Sequence, residues 1–390
     1  MTAPPVSFHL ELDAFLVTGY PEALAVLRGD GWSSDLRANT ARLARLGAPE
    51  EAMPVFTRMM LFTDPPEHTR LRRIVAPSFT ARAIERLRPR VAAIVDAVVA
   101  GLAEPRHTGD QTGAELLAEF AYPIPIAVIA ELLDVGAEGA ELVRAETPKL
   151  TAILEVNPDP AGLLDAAEAA VNFTLFLLPL LVERRADPGP DYLSALLAAE
   201  VDGERLDMED VLATCLLLLI AGHETTANLI ANGVLTLLRH PPELAELRRR
   251  PALITRYVEE ILRLEGPVNL AARTAAVDHE LAGRHIRAGQ QVVVSIADAN
   301  RDRARFAAPD RFDPSRTEAH LAFGAGAHFC LGAALSRLEA EESLSRLFAR
   351  FPDLRLPPDE LPRWRASDTF HALRELRVVL EPGRQPAPLA

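Results

Sequence analysis

Cysteine is almost missing from this 390-residue chain, which has only Cys215 and Cys330. That scarcity excludes a disulfide framework, a multi-cysteine zinc site and an iron–sulfur cluster, each of which needs more thiolates. Lysine is scarcer still: Lys149 is the one example, and arginine carries the rest of the positive charge. Acidic residues outnumber basic ones by 55 to 41, and the net charge of −14 argues against a nucleic-acid partner. No uninterrupted apolar run reaches the roughly 20 residues that span a bilayer. The longest, residues 211–222, stops at His223 and Glu224. Residues 1–7 lack the basic start and apolar run of a secretory leader. The expectation is a cytoplasmic chain that acts as a monomer, without a membrane.

Hydrophobic residues make up 49% of the chain, enough for a large core, and no Ser/Gly-rich linker or internal repeat divides it. Residues 1–390 therefore read as one domain. Apolar residues at helical spacing mark 21–27, 81–102, 114–133, 163–185, 192–197, 209–239, 251–264 and 333–350. Pro89, Pro123, Pro125 and Pro179 should kink or split the helices that contain them. Strand-like pieces are short: 277–286, turning at Gly283, then 289–296 and 374–380. The fold class is mainly α with minor β, a single helix-rich domain whose small β-sheets lie mostly in its last third.

The densest chemical signal is residues 323–332, Phe-Gly-Ala-Gly-Ala-His-Phe-Cys-Leu-Gly. Its glycines permit a tight turn and let backbone N–H groups come close to the sulfur of Cys330. A helix starting at Ala333 aims its positive end at the same atom. Both features favour a thiolate, the form that binds metal or attacks an electrophile. A structural cysteine, a nucleophile and a soft-metal ligand all remain open, although His328 is poorly placed to act as base for its near neighbour. Of the metal groups, only haem is satisfied by one protein thiolate.

A second signal interrupts the long helix at 209–239. Gly222 costs roughly 1 kcal/mol there relative to alanine. Thr225 can turn its hydroxyl onto the carbonyl of Ala221, so a local widening of the helix is expected. Glu224 places a carboxylate just beyond an apolar run, an expensive position for charge without a partner or task. His-Glu-Thr-Thr-Ala lacks the second histidine of a zinc-protease helix.

With these residues in view, the chain resembles the cytochrome P450 family over essentially its whole length. Phe323, Gly326, His328, Cys330 and Gly332 match the family's haem loop, and Ala221 to Thr225 its central-helix motif. Glu260 and Arg263 match its Glu-x-x-Arg pair, with Arg311 as the expected third member. The resemblance implies haem b on Cys330, held by Phe323, Gly324, His328 and Gly332, with His68, Arg72, Arg273 and His328 on the propionates. It implies that Glu224 and Thr225 deliver the protons that O–O cleavage consumes.

The implied activity is an oxygen-dependent monooxygenase that hydroxylates or epoxidises a medium-sized hydrophobic metabolite, in secondary metabolism such as antibiotic biosynthesis. The chain has no flavin or nicotinamide motif, so ferredoxin and ferredoxin reductase are the implied electron source, with Arg70, Arg73 and Arg337 as docking cations. Family position assigns the pocket to 53–62, 147–156 and 368–370 with Leu218, Ala221, Val268, Asn269, Leu270, Thr369 and Phe370; Asn269 and Thr151 would orient the substrate. Oxidative coupling or ring closure without oxygen insertion, and a haem-binding protein without turnover, are the alternatives.

Overall fold

The computed structural model describes residues 4–39, 53–103, 113–189, 191–358 and 361–380. Helices dominate: α1 (Tyr20–Arg28), α2 (Glu67–Val75), α3 (Arg88–Leu102), α4 (Pro123–Leu132), α5 (Gly136–Leu150), α6 (Pro160–Ala186), α7 (Met208–Arg239), α8 (Ile254–Glu265) and α9 (Ala333–Arg350). The strands are β1 (Val6–His9), β2 (Ala14–Val17), β3 (Trp32–Ser33), β4 (Gly113–Glu115), β5 (Leu270–Ala275), β6 (His279–Leu281), β7 (Arg284–Ile286), β8 (Gln291–Ser295), β9 (Leu373–Glu375) and β10 (Arg377–Val379).

The central helix α7 starts where the Asp207 carboxylate accepts the backbone N–H of Asp210 at 2.7 Å, satisfying an otherwise unpaired donor. It buries residues on every side, and α4, α8 and α9 pack around it. It is α-helical throughout, so the widening expected near Gly222 does not appear in its backbone. Proline acts as expected at Pro89, which opens α3 after the separate turn Ala81–Glu85. Pro123 likewise opens α4, after the five-residue π-turn Leu117–Ala121.

Pro179 behaves otherwise: α6 runs straight through it. Both Pro179 and Leu175, whose carbonyl loses its donor, face solvent, so water can take the bond. By length and composition alone, α6 and α7 are apolar enough to cross a membrane, which corrects the reading from uninterrupted runs. In α7, 78% of that apolar window is buried inside the protein, as befits a core helix. In α6 only 33% is buried, and Leu164, Val171, Leu175, Leu178 and Val182 face outward.

The largest sheet has the order β1-β2-β8-β5-β3 and joins residues 6–33 to residues 270–295. β2 runs parallel to β8, with Phe15 opposite Val292 and Val17 opposite Val294. The hairpin β6–β7 and the strands at β8 to β10 lie where the sequence placed them. The N-terminal strands β1 to β3 and helix α5 were not anticipated.

Behind the sheet, the Glu260–Arg263 pair is almost wholly buried and bidentate, with both N–O distances 2.8 Å. The Arg263 guanidinium also donates to the carbonyls of Asn300, Pro309 and Arg311. Arg311 therefore contributes its backbone, and its exposed side chain is not the third member of the cluster. That place belongs to Arg316, whose Nε lies 3.2 Å from Glu260 Oε1. Arg316 sits five residues further on, where the chain has turned back over α8.

Removing one partner of a buried pair leaves the other charged and desolvated. Arg263→Met should therefore lower unfolding free energy in urea by about 3–5 kcal/mol, while Arg311→Ala should stay within about 0.5 kcal/mol of wild type. A second ion pair links α8 to α9. Burial opposes ionisation of Glu259, but hydrogen bonds from His320 and Arg337 outweigh it and hold the carboxyl at about 2. A depressed folded-state value means that stability is present above the unfolded carboxylate range and is lost as pH falls toward 2. In thermal melts between pH 5 and pH 2.5, Glu259→Gln should accordingly show a shallower loss of Tm than wild type.

Candidate functional site

Bordered by both α7 and the 323–332 loop lies a cavity of about 450 Å³. Its walls are largely apolar and include Met60, Phe62, Ile153, Leu218, Val268 and Phe370. Cys330 forms part of its wall. The loop takes its shape from local bonds: Cys330 N–H to the Phe323 carbonyl at 2.9 Å, and Gly324 N–H to the Leu321 carbonyl at 2.8 Å. At Gly326 φ is +73°, and a Cβ would lie 2.4 Å from the Leu27 carbonyl oxygen, so only glycine lets the loop sit against α1. Gly332 differs: its φ is unstrained and a Cβ there would meet no protein atom, so a side chain would project into open space beside the cavity it lines.

Burial pushes the Cys330 thiol up, against the pull of the Gly332 and Ala333 backbone N–H groups and of Arg72 and Arg337. The loop and the helix end pull toward the thiolate as expected, while desolvation acts against them. A coordinated metal ion would reverse the balance, since it deprotonates the thiol outright.

Along one edge of the cavity stand four basic side chains. The His68 and His328 rings lie 4.1 Å apart between centroids. Arg72, from the same helix as His68, donates to the Phe329 carbonyl at 2.6 Å. Among the described residues, Arg273 on β5 hydrogen-bonds through its side chain to the neighbouring Ala272 carbonyl alone. Its guanidinium is pulled down to about 10, chiefly by burial, with Asp64 alone in opposition. His328 is pulled down to about 3 by burial, then by Arg273, His68 and Arg72. His68 Nε2 is buried without any hydrogen-bond partner. A concentration of basic groups with so little negative charge to answer it suits a ligand that brings its own carboxylates.

Thr225 also borders the cavity, and its hydroxyl donates to the Ala221 carbonyl at 2.8 Å as expected. Glu224 does not border it. Its carboxylate turns away, accepting from Tyr122 Oη at 3.1 Å, Asn228 Nδ2 at 3.2 Å and the Arg365 guanidinium. Glu224 is 1% exposed, whereas the Arg365 side chain is about one-third exposed and reaches the surface. Tyr122 and Arg365 were not foreseen, because nothing in their local sequence marks them.

Leu218, Ala221, Val268, Leu270, Thr369 and Phe370 all line the cavity. Asn269 and Thr151 do not, which corrects both as orienting groups. The Asn269 backbone is tied to Thr369 and Ile296, and the Thr151 hydroxyl donates to the Pro148 carbonyl. Of the 53–62 stretch, the side chain of Met53 lies outside the described residues. The proposed docking cations are already neutralised: Arg70 by Asp210, Arg73 by Asp202 and Arg337 by Glu259.

Among the described residues, no group of three or more His, Cys, Asp or Glu side chains could hold a bare metal ion. One sulfur on the cavity wall, with four basic side chains beside it, fits a macrocycle that carries a metal ion and two carboxylates. The cytochrome P450 family model matches residues 165–365. This chain is a cytochrome P450. The P450 is 43% identical to the cytochrome P450 monooxygenase PikC of Streptomyces venezuelae, over 96% of this chain and 86% of that one. It is 40% identical to the 6-deoxyerythronolide B hydroxylase of Saccharopolyspora erythraea, over 97% and 94% of the two chains. Its backbone matches the crystal structure of P450BioI in complex with an acyl carrier protein ligated to hexadec-9Z-enoic acid, with a TM-score of 0.87, 34% identity and coverage of 97% and 95%. Its cofactor is haem b, and it is an oxidoreductase of the monooxygenase class.

If Cys330 is the sole thiolate ligand, Cys330→Ser should abolish the red-shifted Soret band of the reduced carbon monoxide adduct. Far-UV circular dichroism should remain that of wild type, because the serine keeps the loop's backbone bonds.

Proposed function

We propose that this P450 inserts one atom of dioxygen into a medium-sized hydrophobic metabolite of secondary metabolism. The observation that carries the reading is that Cys330 and Thr225 border one largely apolar cavity. The names of the relatives, a 6-deoxyerythronolide B hydroxylase and a cytochrome P450 monooxygenase, support it.

Thiolate-ligated haem supplies the activation of dioxygen, and the surrounding chain supplies fit, exclusion of water and protons. Cys330 would bind the haem iron through its sulfur, with Phe323, Gly324 and Gly332 shaping its seat. His68, Arg72, Arg273 and His328 would hold the two propionates, and that charge would answer the orphaned nitrogen and the under-compensated guanidinium described above. The Glu260–Arg263–Arg316 cluster fixes the segment that leads into the cysteine loop.

Thr225 presents a hydroxyl on the reacting side of the cavity, and its bond to the Ala221 carbonyl sets its direction. Glu224 acts one step back: it receives protons from the surface by way of the partly exposed Arg365 site and passes them toward Thr225 through ordered water. Tyr122 and Asn228 hold the carboxylate in place meanwhile.

Electrons come from ferredoxin, served by a ferredoxin reductase in the cytoplasm. Phe329, beside the ligand, is 41% exposed and marks the face where a donor comes closest. On the turn that packs against α9, Arg82 and Arg86 are exposed and carry no ion pair among the described residues, so they replace Arg70, Arg73 and Arg337 as docking cations.

In a reconstituted system with ferredoxin, its reductase, reduced nicotinamide cofactor and isotopically labelled dioxygen, the product should carry one labelled oxygen. Product without label would instead indicate coupling or ring closure. Thr225→Ala should cut product per reductant consumed by about tenfold or more, with hydrogen peroxide released in its place, consistent with the roughly 10²–10⁴-fold worth of a positioned proton donor.

A further inference from the structure

Four basic side chains on the cavity wall already have a place in the account above, His68, Arg72, Arg273 and His328 at the propionate edge, and the Glu339 carboxyl is buried within α9. Two carboxylates remain. Asp35 is answered by Arg37, which grips both its oxygens at 2.7–2.9 Å. Glu155 is not answered: no arginine, lysine or histidine pairs with it among the described residues.

Glu155 is nevertheless held in a fixed position. It ends the turn Thr151–Leu154 and faces the loop at 367–370. The Ser367 hydroxyl accepts the Phe370 backbone N–H at 2.9 Å, which directs its own hydrogen to Glu155 Oε1 at 2.6 Å. Beside it, the Val156 N–H donates to Thr369 Oγ1 at 2.8 Å and joins the same two loops. Only one carboxylate oxygen is used, and Oε2 has no partner among the described residues. The residue is half-buried and borders the cavity, whose walls are largely apolar apart from the basic edge. A carboxylate there gives up part of its hydration and receives one neutral donor in return.

We propose that Glu155 is the anchor for a basic nitrogen on the substrate, so that the molecule this P450 oxidises is an apolar body bearing an alkylamine, cationic at neutral pH. The inference rests on the reading of this cavity as the substrate chamber. A cation seated at Glu155 forms a charge-assisted contact in a partly desolvated setting, where such contacts are strong and directional. It also fixes which end of the substrate enters last and thus which carbons face Thr225. Ser367 is a positioning residue: it turns the carboxylate without touching the nitrogen.

The test uses the haem-loaded enzyme and two twelve-carbon probes below their micellar range, dodecyltrimethylammonium and dodecanol. The quaternary nitrogen cannot coordinate iron, so spin-state shifts and calorimetry both report occupancy of the chamber. Wild type should bind the cation about tenfold more tightly than the alcohol, and added salt should narrow the gap. Glu155→Gln should erase the preference and bind dodecanol as wild type does. Ser367→Ala, with the charge intact but less well aimed, should fall between them. Equal binding of both probes by wild type, or a preference that survives Glu155→Gln, overturns the anchor while leaving the chamber intact. If neither probe perturbs the wild-type spectrum or releases heat, the chamber reading fails and the anchor with it.

Discussion

The geometry of the site depends on one buried guanidinium. Arg263 spends its donors on Glu260 and on three backbone carbonyls from the segment 300–311. A planar fork meets several acceptors at once, which a lysine could not do. Because both charges are removed from water, the arrangement stabilises only as a complete set. Its consequence is positional: the irregular stretch that feeds the cysteine loop is pinned to α8, and α8 is pinned to α7 and α9 by packing. Long irregular segments ordinarily wander; this one is held by its own carbonyls.

With that frame set, the cavity is asymmetric in charge. One edge gathers His68, Arg72, Arg273 and His328, and burial with mutual repulsion keeps both histidines below their ordinary values. The far side is apolar except for a few oxygens. Thr225 and Glu224 are adjacent in sequence yet face different surroundings, the hydroxyl toward the chamber and the carboxylate toward Tyr122 and Arg365. The helix thereby separates the cavity from the buried carboxylate behind it.

Much of this was legible in the chain before any coordinates. The helix 333–350, the central helix to within one residue at its start, and the Cys330 loop follow from periodicity and glycine spacing. The hydroxyl bond from Thr225 to Ala221 follows from their separation by one helical turn. What escaped was set by partners distant in sequence. β1 and β2 are four-residue strands, and no local pattern announces their pairing with each other or that of β2 with β8. Arg365 meets Glu224 across 141 positions, and Arg316 displaces Arg311 because a turn between them reverses the chain. Asn269 was misjudged for a related reason: its backbone bonds, absent from any motif, hold that stretch against Thr369 and Ile296.

The contact of Gly326 with Leu27, and the parallel pairing of β2 with β8, bear on how the molecule is made. The first thirty residues leave the ribosome early, but the strand and loop they must meet are synthesised some 280–300 positions later. Non-local closure of that kind is slow, and it leaves a hydrophobic edge waiting while the rest is translated. The porphyrin seat is therefore among the last features to mature, and uptake of the pigment should follow release of the finished polypeptide rather than accompany its synthesis.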